Sequence, residues 1–346
     1  PNLSPEIKKE YEVGTDLRFF DNKIKLGYSY YYNKTEDVFF NLSLANSSGY
    51  DEIFTNAGEI ENKGMELDLS YDIIKNDDFS INFSLNWSYY RNKVLDLKGV
   101  ESIRLGGLSA VSGRAVEGYP LGVFWGTKFV RNDDGSILLN DVGFPSLAPE
   151  NGIIGNPHPD WQGGFGTTIS YKDLSLFFLL ETYQGADIYA GTKAVLLNYG
   201  RHKDSGIETT TQQDLFDYNG GLITSGSTFR GSIYDFGAGP VALTEAWYRG
   251  IGGYFSGVQE QFVEDGSWSR LRELTLSYSP RSSNFRKATK LSSIDFSFTG
   301  RNLFILTDFV GNDPDTNLTE VSTTRGIDYF NNPGTKSYVF KITINY

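Results

Sequence analysis

The feature that most constrains this chain is a period of two. Tyr338, Phe340, Ile342, Ile344 and Tyr346 alternate with Ser337, Lys341, Thr343 and Asn345, and Val339 is the one apolar residue out of place. The same alternation runs Phe79, Ile81, Phe83, Leu85, Trp87, Tyr89 against Ser80, Asn82, Ser84, Asn86, Ser88, and Ile294, Phe296, Phe298 against Asp295, Ser297, Thr299. Successive side chains of a strand point to opposite faces, so each segment is a strand with one apolar and one polar face.

Reading the whole chain this way predicts nine strands, at about 7–19, 23–42, 53–74, 79–97, 161–171, 174–186, 266–279, 291–304 and 337–346. Their connections alternate between short polar turns (21–23, 75–78, 172–173 and a longer 280–290) and long loops (roughly 43–52, 98–160, 187–265 and 305–336). A transmembrane β-barrel has this asymmetry, with short turns on one side of the membrane, long loops on the other and aromatic girdles at both interfaces. Antiparallel sandwiches and propellers share the alternation. Two features favour the barrel. A sandwich core is built of Val, Ile and Leu, whereas this apolar face is heavy in aromatics near strand ends, such as Tyr28, Tyr30, Tyr71, Trp87, Tyr89, Tyr171, Tyr278 and Tyr346. Loops as long as 98–160 and 187–265, all on one side, are also foreign to a compact domain. The expected fold class is therefore all-β, a transmembrane antiparallel barrel.

Parity refines this. If the short turns are periplasmic, the first and the ninth strand both descend from outside, and a closed bacterial barrel has an even number of strands with both ends periplasmic. Residues 1–346 are thus expected to form an arc of a larger barrel, with further strands before Pro1, since an arc leaves two unpaired edges in lipid.

Composition narrows the function. With no cysteine and only His158 and His202, the chain cannot make disulfides, thiol nucleophiles or Cys-ligated metal sites, and neither histidine has a sequence neighbour suggesting a nucleophile and base. No enzyme activity and no cofactor are expected. A net charge of −12 lacks the footprint of a nucleic-acid binder.

Several motifs then recur in order. Asn2-Leu3-Ser4-Pro5-Glu6 followed by Tyr11-Glu12-Val13-Gly14 resembles the entry to the late barrel strands of TonB-dependent transporters, although Leu3 follows Asn2 directly here. Asn56-Ala57-Gly58-Glu59-Ile60-Glu61-Asn62-Lys63-Gly64-Met65-Glu66, Gly118-Tyr119-Pro120-Leu121-Gly122 and Ile154-Gly155-Asn156-Pro157-His158-Pro159-Asp160-Trp161 resemble segments of the SusC-like branch, the nutrient importers of Bacteroidota. So do Leu271-Arg272-Glu273-Leu274, Gly300-Arg301-Asn302-Leu303 and Gly311-Asn312-Asp313-Pro314-Asp315. The resemblance implies a 22-stranded barrel occluded by an N-terminal plug, of which residues 1–346 are the C-terminal part, strands 14–22. It further implies a TonB complex engaged through the N-terminal part, a SusD-like surface lipoprotein as lid, outer-membrane lipid around the wall, and room for a dimer of such pairs. The imported nutrient would be a glycan or a peptide. A barrel used for docking or assembly, and a soluble secreted β-domain that binds carbohydrate, are the rival readings.

Candidate residues follow. Trp125, Tyr199, Tyr218, Trp247, Tyr248 and Tyr254 in the loops could stack on substrate or pack the loops on one another. Glu66, Asp68, Glu273, Asp295, Arg301 and Lys341 should line the lumen and bond plug or water. Trp87, Tyr89, Trp161 and Tyr346 read as interface girdle. Asn132-Asp133-Asp134-Gly135-Ser136, with Asn140 and Asp141 behind it, partly fits a calcium loop, Asp141 standing six positions after Gly135 where a bidentate acid is needed. Turn chemistry explains the same residues.

Overall fold

The computed structural model of the chain describes residues 3–280, 282, 288–319 and 324–346. Among these residues nine strands form one antiparallel sheet in chain order: β1 (Ile7–Phe19), β2 (Ile24–Ser43), β3 (Glu52–Lys75), β4 (Phe79–Asp96), β5 (Trp161–Tyr171), β6 (Leu174–Gln184), β7 (Trp268–Tyr278), β8 (Ser293–Thr307) and β9 (Ser337–Asn345). These are the nine segments marked by alternation, with ends moved by a few residues; the largest shift takes the eighth on to Thr307. The sheet stays open, since β1 and β9 each pair on one side only.

Short turns close one end. Phe20, Asp21 and Asn22 take φ of 54°, 54° and 67°, a left-handed run that Asp and Asn tolerate better than most residues. At 75–78 the Asn76 side chain accepts from the backbone N–H of Asp78 (3.1 Å) and Phe79 (2.8 Å), replacing ladder bonds that the reversal removes. Lys172 bends the third turn at φ 51°. The turn expected at 280–290 lies largely outside the described residues, as does Asn2.

Register carries the alternation across the sheet. Leu26, Leu69, Leu85 and Phe165 stand in one row, and Tyr28, Leu67 and Trp87 in the next. This face is uncovered: Val13 is 75%, Tyr11 70% and Phe340 64% exposed. Water does not tolerate an apolar wall of this extent, whereas lipid solvates it. Its height fits. Phe79 pairs with Tyr171, and Tyr89 and Trp161 lie ten residues further along the same two strands. That is roughly 33 Å of strand at about 3.3 Å per residue, and at a tilt of about 40° it spans roughly 25 Å, the apolar band of an outer-membrane barrel.

The buried core sits instead in the long connections, which gather at the other end of the sheet. One cluster joins Phe40, Ala57 and Ile60 at the tops of β2 and β3 to Val94, Leu97, Ile103 and Ala115. A larger one takes Val111, Phe124 and Phe144 from one connection, Tyr189, Trp247, Tyr248, Tyr254 and Phe262 from the next, and Ile327 from the last. The connection after β4 folds into a four-stranded sheet (Ser102–Gly107, Ser112–Val116, Val123–Gly126, Gly152–Gly155), and the one after β6 carries the helices α1 (Gly191–Asn198), α2 (Lys203–Gly206) and α3 (Glu245–Arg249).

If the exposed apolar face meets lipid, Leu85→Arg near its mid-height destabilises the full-length barrel by about 2–4 kcal/mol. Asn82→Arg, on the polar face beside Asp72, costs far less. Urea unfolding in phospholipid vesicles measures both, and equal losses would reject the assignment of faces.

Candidate functional site

Opposite the apolar wall, Glu66, Asp68, Glu273, Asp295, Arg301 and Lys341 share one face of the sheet. Glu66 stands across from Ser29 and Ser88, Asp68 from Gly27 and Asn86, and Lys341 from Ser297. Glu273 and Arg301 are register partners and form an ion pair at 3.2 Å. Small residues keep this wall passable to long side chains. Tyr31 crosses Gly64, where an added Cβ would strike its ring, and a Cβ on Gly166 would lie 2.6 Å from the Ser84 hydroxyl.

Above this face the separate sequence motifs meet. An asparagine ladder crosses three strands: Asn62 Nδ2 donates to Asn33 Oδ1 (3.0 Å), Asn92 Nδ2 donates to Asn62 Oδ1 (2.6 Å), and Leu121 N–H donates to Asn92 Oδ1 (2.7 Å). The Gly118–Gly122 motif is thereby tied to the sheet. His158 fastens it from the other side, between the Leu121 carbonyl (2.6 Å) and the Tyr90 hydroxyl (2.8 Å). A carbonyl can only accept, so Nε2 carries the proton and Nδ1 accepts from Tyr90. Burial pushes the His158 pKa below its ordinary value. Asp187 accepts from the Asn156 N–H at 2.6 Å, and burial raises its pKa.

Two β-bulges aim the remaining motifs. Beside the first, at Asp37 (φ 56°), Asn56 exchanges two 2.8 Å bonds with the Ser4 backbone and donates to the Asp37 carbonyl at 2.6 Å. Beside the second, the β7–β8 register shifts at Arg272 opposite Asn302 (φ 53°). A bulge re-aims its side chain, and the Arg272 guanidinium reaches Glu181, Asn302 (3.3 Å) and Asp315 (2.6 Å). Its neighbour Arg270 pairs with buried Asp313. The Leu271–Leu274, Gly300–Leu303 and Gly311–Asp315 motifs are one structural joint.

The loop aromatics divide. Trp247, Tyr248 and Tyr254 are 2%, 5% and 6% exposed, with Tyr218 packed edge-on to Trp247 (5.7 Å between centroids). Of the two readings, packing describes these four, although the edge of Tyr248 also reaches a cavity beside α3: connections this long order themselves only around a core of their own. Gln259 locks that core, donating to the Tyr254 (2.7 Å) and Gly257 (3.1 Å) carbonyls and accepting from the Tyr189 hydroxyl (2.5 Å). No sequence pattern marked Gln259, whose role depends on three segments meeting. Trp125 is half-buried under Arg114, 5.0 Å from its ring. Tyr199 alone of the six is largely exposed, at 63%. The calcium reading is corrected. Asp134 accepts from the Ser136 N–H (2.9 Å) and hydroxyl (2.6 Å), and Asn140 from Val142 and Phe144, so these residues build two turns. Asp133, Asp134 and Asp141 do not converge, and among the described residues no acidic or His cluster could hold a metal ion. Trp87, Tyr89 and Trp161 lie on the apolar face at one height of the sheet, Trp87 stacked with Tyr89 (6.4 Å), and Tyr346 at the other end is 96% exposed.

The family model described as TonB dependent receptor-like, beta-barrel matches residues 1–179. TonB-dependent receptor P3 of Formosa agariphila is 26% identical over 375 residues, covering 100% of this chain and 34% of that protein. TonB-dependent receptor SusC of Bacteroides thetaiotaomicron is 24% identical over 337 residues, covering 91% of this chain and 30% of that protein. A solved structure of the RagAB peptide transporter shares the fold, with a TM-score of 0.69 at 18% identity over 99% of this chain and 35% of that chain. The chain spans about a third of the length of these relatives.

The joints above the sheet carry two expectations. Asn62→Ala strips partners from Asn33 and Asn92 and costs about 1–3 kcal/mol, read from the unfolding midpoint of the full-length protein. Because the folded state holds His158 neutral, its contribution is complete above pH about 6.5 and declines as pH falls below that value toward the depressed folded pKa. His158→Gln, which keeps a donor for Leu121, should flatten this part of the pH profile; an unchanged profile assigns the acid sensitivity elsewhere.

Proposed function

Because this chain belongs to the TonB dependent receptor-like β-barrel family, we propose that its nine strands form part of the wall of an outer-membrane importer of the SusC-like branch. The observation that carries this reading is a sheet with two solvents: an uncovered apolar face about as tall as a bilayer core, backed by a face of paired charges and small residues. On this reading Glu66, Asp68, Glu273, Asp295, Arg301 and Lys341 face the lumen and hydrogen-bond a plug domain or water. Their mixed signs suit a hydrogen-bonded bed better than a filter for one ion type. Trp87, Tyr89, Trp161 and Tyr346 anchor the wall at the two lipid interfaces, where rings with a polar edge are favoured.

The packed layer of long connections then faces the outside. It is the surface where a SusD-like lipoprotein would close over a captured peptide or glycan, and its internal core would keep it rigid enough to dock a lid. Import proceeds by binding and energised movement of the plug, with no covalent step, and the TonB complex acts through the N-terminal part of the protein. The apolar face supports this over a secreted carbohydrate-binding domain, which would have to leave that face in water.

The test uses the full-length protein in its host, grown on peptide or oligosaccharide mixtures. The expected result is a heat-modifiable outer-membrane protein whose deletion abolishes growth on one mixture, with the same defect on loss of TonB. A growth defect independent of TonB would point to docking or assembly. A product soluble without detergent would sink the membrane reading.

A further inference from the structure

We propose that the connection between β6 and β7 contains a binding pocket for an acidic oligosaccharide, one bearing carboxylate or sulfate groups; this deepens the import reading and rests on it. A cavity of about 450 Å³ lies between the end of α1, α2 and α3, lined by Tyr199, Arg201, Ser205, Arg230, Glu245 and Arg249 among others. Its volume falls within the range of small-ligand sites, about 300–1,000 Å³.

Charge is the unusual feature. The chain carries a net −12, yet three arginines line this cavity with Glu245 as the one carboxylate in its lining. Their donors are largely unspent. Among the described residues the Arg201 side chain has neither an ion pair nor a hydrogen bond, Arg230 gives one bond from Nε to the Gly206 carbonyl (3.3 Å), and Arg249 reaches Glu245 at 3.3 Å with both side chains 70% or more exposed. An exposed pair of that kind contributes little and exchanges readily. Each guanidinium offers five N–H groups in a planar fork that matches carboxylate and sulfate oxygens. In Arg270 and Arg272, by contrast, the same group is committed to Asp313, Glu181 and Asp315.

A sugar is favoured over an acidic peptide by what surrounds the arginines. Tyr199 lines the cavity at 63% exposure, and Phe255 braces it edge-on at 5.9 Å, which leaves one exposed tyrosine ring at the rim. A ring with a polar handle suits the apolar face of a pyranose. A peptide captured by strand addition needs an exposed sheet edge, and this lining is drawn mainly from helix ends and loops; an arginine cluster alone would also suit an acidic peptide, so the ring at the rim is what favours a sugar.

Isothermal titration of the detergent-solubilised full-length protein with tetragalacturonate tests this, with maltotetraose and tetraglutamate as the other arms. Tetragalacturonate should bind, more weakly as salt is raised. Arg201→Ala and Arg249→Ala should each weaken it about tenfold or more, as loss of a charge-assisted hydrogen bond does, while heat-modifiable mobility stays unchanged. Tyr199→Ala should weaken it without altering the salt dependence. Equal binding of maltotetraose, or indifference to both arginine variants, would overturn the proposal, and so would capture of tetraglutamate in place of the sugar. TonB-dependent growth on a neutral nutrient that survives both arginine variants would overturn this pocket and leave import standing. Arginine-dependent sugar binding without any TonB dependence would keep the pocket and remove import.

Discussion

Everything in this chain depends on one constraint: a single antiparallel sheet must satisfy its backbone while its two faces meet different media. Among the described residues, hydrogen-bonded ladders join every neighbouring pair of the nine strands, interrupted only at bulges, so the sheet satisfies most of its own backbone. Period two then places Leu26, Leu69, Leu85 and Phe165 on one side and Asp68, Asn86 and Gly164 on the other. A slip of one residue would turn Glu66 and Asp68 outward and Leu67 and Leu69 inward.

That sheet has no core of its own, which shifts the burden of burial to the connections. Trp247, Tyr248, Tyr254, Phe124 and Phe144 do there what Val and Ile do inside a sandwich. The order of the loop layer and the openness of the apolar wall are complementary: among the described residues the largest fully buried side chains, such as Tyr189, Phe124 and Phe144, lie above the sheet. The layer is held to the sheet by specific polar joints. Asn62, His158 and Arg272 each bond residues from two or more distant segments, and the bulge at Arg272 re-aims its side chain toward them.

The strands were legible because alternation is a local signal repeated nine times. The joints were legible only as strings: Gly118–Gly122 and Asn156–Trp161 could be recognised in the sequence, but that His158 is the clasp between them could not. The two readings of the loop aromatics stayed open for a related reason. Trp247 and Tyr199 are alike as letters, one 2% and the other 63% exposed, and the difference is made by Phe144 and Phe236 arriving from elsewhere.

The sequence by itself determined the sheet, its two faces and the side on which the long connections lie, because side-chain direction in a strand follows from residue number alone. Tertiary structure decided which loop aromatics are core, that Asp134 and Asn140 build turns, and that Arg201, Arg230 and Arg249 share a cavity. Burial and charge clustering depend on contacts between residues far apart in the chain, and no local period encodes them.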